Sequence, residues 1–139
     1  MYDKEVYHFL FLHFPIGLFI TGFIFHIFYM LNYSVEVADK IKEYIHWTMG
    51  MGIIWSILSI ITGFITAIDL EKINSVFGIF DKPIEKVIHA YIMILSTILF
   101  SILFSLRNMN KKIFFILHLG SVLLLIYGTH LGAKWAERI

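Results

Sequence analysis

Cysteine is absent from the 139 residues. That absence excludes disulfides, thiolate metal sites, iron–sulfur clusters and covalent c-type heme attachment. Charge is scarce too: Asp, Glu, Lys and Arg make up 15% of the chain, against roughly 25% in an average soluble domain. The charges nearly cancel, leaving a formal +1 with histidine neutral. No basic stripe forms, so nucleic acid is not implied as a partner. Also missing are a nucleophile elbow, a phosphate-binding glycine loop and paired carboxylates within an apolar run.

What the chain has in abundance is apolar surface. Hydrophobic residues reach 59% and the mean hydropathy is +0.82. A soluble fold of this length could not hide that much, so the expected solvent is lipid. Four apolar runs stand out, at about 8–31, 45–70, 84–106 and 113–133. Each is long enough to cross a hydrocarbon core of ~30 Å. Between them lie a polar stretch over 32–43, a segment over 71–83 whose apolar middle SVFGIF suits the interface, and the tight turn RNMNKK. Short connections predict antiparallel neighbours. The fold class expected is therefore all-α: a single-domain, integral membrane four-helix bundle running up-down-up-down.

Both ends of such a bundle fall on one side, here side A, opposite side B. The opening MYDKEVY has mixed charge, and the run after it is too long for a signal-peptide core, so the first span is expected to be a permanent helix. The compact cationic turn from Arg107 to Lys112 points side B towards the cytoplasm. The expected location is the cytoplasmic (inner) membrane of a bacterium or archaeon, with multiple passes and the termini outside.

Seven histidines are the main chemical resource. Threading the runs across the membrane puts His8, His13, His89 and His130 near side A, and His26, His46 and His118 nearer side B. His46, beside Trp47, reads as interfacial, and His8 at the start of its span could be the same. An imidazole in hydrocarbon needs partners, because an unsatisfied polar group there costs several kcal/mol. One reading supplies them by hydrogen bonds between helices, to serines, threonines or carbonyls. The other makes the rings ligands, since neutral imidazole binds transition metals and heme iron, and two facing helices of a bundle can clamp a heme between them.

The heme reading takes His13 and His89, with His130 as the competing partner, as axial ligands near side A. His26 and His118 would hold a second heme near side B. That gives one or two heme b groups and a membrane electron carrier or redox subunit rather than a stand-alone enzyme. Its exchange partner would be a quinone or a redox protein, and a homo-oligomer or membership of a larger complex is left open. The spacings His13–His26 and His118–His130 both correspond to ~18–20 Å along a helix. Helical phase opposes the pairing, because at ~100° per residue His26 lies some 140° round from His13 unless a kink at Pro15 intervenes.

Two alternatives stand beside this. His8, His13, His89 and His130 could form a copper or zinc site, with Asp69 as a further ligand or an orienting partner. The chain could also be a structural or assembly subunit whose histidines only join helices. The glycines serve either side: Gly17, Gly22, Gly50, Gly52, Gly63, Gly120, Gly128 and Gly132 could admit a porphyrin edge or simply let helices approach closely. The fourteen phenylalanines are read mostly as lipid-facing bulk, with Trp47 and Trp135 as interface anchors.

The stretch HFLFLHFPIGL, from His8 to Leu18, resembles the opening signature H-P-x-x-x-H-F-P-I-G of the bacterial membrane family known as domain of unknown function 2231. The resemblance continues through GFITAIDL, His89-Ala90 and GTHLGAKW, and covers nearly the whole chain. The family pattern matches His8, His13, Pro15, Gly63, Asp69, His89, Leu131 and Gly132. Phe9 departs from it where the family has proline, and His26 stands where an acidic or polar residue is expected. Members that look fused to cytochrome-type domains imply redox work.

Overall fold

The computed structural model describes residues 4–31, 34–67, 84–106 and 108–136, with side chains over 11–31, 34–65, 87–106 and 108–134. Four helices fill it: α1 (Lys4–Met30), α2 (Val35–Ala67), α3 (Ile84–Ser105) and α4 (Lys111–Ala136). All four are long and apolar enough to cross a membrane. In hydrocarbon every backbone N–H and C=O must pair within its own segment, and a helix does that without outside help. Contacts run α1–α2, α2–α3, α3–α4 and α1–α4, which closes a ring of four. The expected all-α four-helix membrane bundle is the fold observed.

One boundary differs from the reading of the apolar runs. The second helix begins at Val35, ten residues before the apolar run at Ile45, so most of the polar stretch over 32–43 is helical. Hydropathy marks where lipid begins, whereas the helix continues into the headgroups on local grounds. Glu36 sits favourably in the first turn, and Lys40 Nζ lies 2.9 Å from Glu36 Oε1 in an i, i+4 pair. At 1.5 Å per residue the 33-residue α2 is about 50 Å long, well beyond the hydrocarbon. Asp69 and the SVFGIF segment lie outside the described residues.

Each helix turns one stripe inward, spaced by three and four residues. On α1 it is Pro15, Phe19, Gly22 and His26; on α2, Ile45, Met49, Gly52, Ser56 and Ser59. On α3 it is Met93, Ser96, Phe100 and Leu103; on α4, His118, Val122, Leu125 and Gly128. These stripes mix large, small and polar residues, because lipid tails are as apolar as leucine and shape rather than hydrophobicity selects the interior. Thr48, Thr97, Ser101, Ser105 and Ser121 donate their hydroxyls to a carbonyl four residues back in the same helix, which satisfies them without a neighbour.

At the centre the rings of Phe19 and Phe100 stack with centroids 3.6 Å apart and 5° between planes. Gly52 makes room on the other side: a Cβ there would lie 2.7 Å from Phe19 Cε1. Gly22 meets Thr48, Gly50 meets Phe104 and Gly128 meets Ile92 in the same manner. These glycines serve close helix packing. Around Gly17 and Gly120 no side chain approaches within 4 Å. The phenylalanines depart from the expectation of lipid-facing bulk: among the described ones only Phe14, Phe28 and Phe64 are exposed. Trp47 is 63% exposed at the side B boundary, as an interface anchor should be.

Because Phe19 is trapped between Gly52 and Phe100, Gly52→Ala should cost about 1–3 kcal/mol, the usual range for overpacking. Denaturant unfolding in detergent micelles measures this. A loss below about 0.5 kcal/mol, the level of an uninvolved site, would show that the slot is not tight.

Candidate functional site

The inward stripes of α1 and α4 meet near side B with a histidine on each. His26 and His118 are both 0% exposed, and their Nδ1 atoms are 3.0 Å apart. Neither Nε2 has a hydrogen-bond partner. Aromatic side chains surround the pair. Phe114 lies 4.8 Å from the His26 ring by centroids, and Phe115 meets it edge-on at 5.3 Å. Phe23 and Phe100 present edges to His118 at 5.4 and 5.7 Å. The α4 spacing explains part of this box, since Phe114 is one turn before His118 on the same face.

The short contact dictates proton placement. One Nδ1 must donate and the other must accept. With both rings neutral, the donor ring carries a bare lone pair on Nε2, and the acceptor ring carries its proton on Nε2. The pair therefore offers one ligand atom and one donor, in an apolar box, and exchanging the roles with both rings neutral moves two protons, one at Nδ1 and one at Nε2. Leaving each Nε2 orphaned costs about 1–3 kcal/mol. A core built only for stability would place leucine at both positions.

His89 is held differently. Its Nδ1 donates to the Gly128 carbonyl at 2.7 Å, and the ring lies over Gly132, where a Cβ would come within 2.7 Å of His89 Cε1. Gly128 and Gly132 form the small-xxx-small spacing that lets one helix seat close to another. The same hydrogen bond fixes the proton on Nδ1 and leaves Nε2 as the lone-pair nitrogen, the arrangement that metal-ligating histidines use.

The other histidines stand apart from these two features. His13 and His130 lie on exposed faces of α1 and α4. Thus His13 and His26 fall on different faces of α1, as helical phase requires, although α1 runs continuously through the buried Pro15. His46 stacks on Phe104 with centroids 4.0 Å apart, in keeping with an interfacial role. The His8 side chain lies outside the described ones. Among the described residues no three His, Asp or Glu side chains gather at metal-ligand range.

Sorting histidines by depth had favoured side A, where three helices contribute. The structure brings together His26 and His118 instead. The signal that could have singled them out is register: His26 continues the Pro15–Phe19–Gly22 spacing, and His118 continues Leu125–Val122.

The family model described as predicted membrane protein (DUF2231) matches residues 6–139. No curated protein and no solved structure matches the chain.

Removing one ring of the pair orphans the Nδ1 of the other. His26→Leu or His118→Leu alone should each cost about 1–3 kcal/mol. The double leucine variant should cost less than the sum, with a coupling of about 0.5–3 kcal/mol. Unfolding of all four proteins in micelles closes the cycle, and additive losses would mean that the rings are energetically independent.

Proposed function

The chain belongs to that predicted membrane protein family, and on this premise we propose that it is a membrane b-type cytochrome, an electron-transfer subunit whose heme is held by His26 and His118. The observation that carries the proposal is the pair itself: two fully buried imidazoles from facing helices, each with an unpartnered Nε2. Heme asks the protein for only two axial ligands, because the porphyrin supplies the other four nitrogens. Zinc prefers four protein ligands, and among the described residues no third His, Asp or Glu joins the pair. The donor set therefore favours heme over copper or zinc.

When bound, a heme supplies reversible one-electron chemistry at its iron. The chain's own contribution is positional. Phe23, Phe100, Phe114 and Phe115 exclude water and match a flat hydrocarbon ring. The two rings spend their Nδ1 atoms on each other, 3.0 Å apart, and would offer their Nε2 atoms to the iron. Both rings sit on the α1–α4 seam. That seam is less extensively packed than α1–α2.

His89 supports a second heme nearer side A. Its Nδ1 proton is committed to Gly128, so its Nε2 is the ligating atom, with His13 or His130 as the second ligand. The partners proposed are a quinone or a redox protein, within a homo-oligomer or a larger complex. The membrane proposed is the bacterial or archaeal cytoplasmic one, with the Arg107–Lys112 turn facing the cytoplasm.

The test is a reduced-minus-oxidised spectrum of the full chain purified from heme-replete cells. A Soret and α-band signal is expected; His26→Ala or His118→Ala should remove the side B heme from it, and His89→Ala only the second heme. Elemental analysis of the same sample separates a porphyrin from bare copper or zinc. A folded protein with no heme signal would leave the histidines with a structural role.

A further inference from the structure

A second feature at the side B end uses different residues. There the ends of α1 and α3, the early turns of α2 and the start of α4 enclose a cavity of about 130 Å³. Its inner wall is apolar, formed by Ile45, Met49, Leu103 and Phe104. Lys42, Asn108 and Lys111 also line it, each at the membrane-boundary end of its segment. Both lysines are half-buried, and Lys111 Nζ is held 5.2 Å over the ring of Tyr29.

Among the described residues no carboxylate joins Lys42 and Lys111 in the lining. Among the described residues the ion pair at this end is Lys40–Glu36, and neither member lines the cavity. Glu36, Asp39 and Glu43 stand exposed on α2 and contribute nothing to its lining. Helix α4 opens with Lys111 and Lys112 and has no acidic residue in its first turn. A helix N-terminus is already the positive end of the macrodipole and favours an anion. Two cations stand where that preference usually places an acidic residue, and Lys111 is the one that lines the cavity.

An apolar wall with a cationic mouth, at the depth where hydrocarbon meets headgroups, matches a molecule with both characters. We propose that this cavity binds the headgroup of an anionic phospholipid. The phosphate pairs with the ammonium groups of Lys42 and Lys111 and accepts from the Asn108 amide. The adjoining glycerol and first acyl carbons rest against Ile45 and Met49. His26 and His118 take no part, so this site and the heme site can fail independently.

The full chain, delipidated in detergent, is titrated with phosphatidylglycerol or phosphatidylcholine in mixed micelles, and retained lipid is read by native mass spectrometry. Saturable retention of one phosphatidylglycerol is expected, with phosphatidylcholine held more weakly. A lysine beside an anionic surface contributes a factor of about five, so Lys42→Gln with Lys111→Gln should weaken phosphatidylglycerol retention roughly thirtyfold. Lys40→Gln, outside the cavity, should change nothing, and the paired arginine variants Lys42→Arg and Lys111→Arg should retain the lipid. Equal retention of the two lipids by the native chain overturns the proposal without any variant. Undiminished phosphatidylglycerol binding in the folded double glutamine variant also overturns it. Displacement of the lipid by an equal concentration of inorganic phosphate would reassign the cavity to a free oxyanion.

Discussion

A polar atom inside hydrocarbon has no water to fall back on, so it must find a partner within the bundle or be left unsatisfied. Much of the described interior follows from that constraint. The threonine and serine hydroxyls fold back onto carbonyls of their own helices. His89 reaches across to the Gly128 carbonyl, and His26 and His118 reach each other. What the bundle leaves unanswered is equally specific: the two Nε2 atoms of the pair, together with Ser96 Oγ. The proposal of a ligand rests on those two ring nitrogens.

The second constraint is shape. Without a hydrophobic force between helices, close approach depends on where side chains are small. Gly52 accepts Phe19 against Phe100, and Gly128 with Gly132 accepts Ile92 and His89. These contacts set the depth and rotation of α1 against α2 and of α3 against α4. The histidine pair sits on the α1–α4 seam, between those two tightly packed halves.

The two proposed sites are neighbours but draw on different physics. The histidine pair is dry and aromatic, and its chemistry lies in lone pairs and a single shared proton. The side B cavity is a boundary feature, where cations at the start of α4 and on α2 meet an apolar wall. Tyr29 and Phe114 touch both, since each faces His26 and also lines the cavity.

The amino-acid sequence by itself determined the solvent, the number of spans and the up-and-down order, because apolar runs of about twenty residues have few other places to go. It also singled out the histidines as the conspicuous polar groups of the spans and, through the HFPIG element, the family. Two things were beyond it. The early start of α2 escaped, because hydropathy reports lipid contact and not helicity. The direct hydrogen bond between the buried His26 and His118 escaped as well, although the two were set down together as ligands near side B: in helices that are apolar on every side no amphipathic period marks the inward face. Depth along the helix could be counted residue by residue, whereas the face turned inward was settled by the packing of the folded bundle. Rotation is what separated the buried His26 and His118 from the exposed His13 and His130.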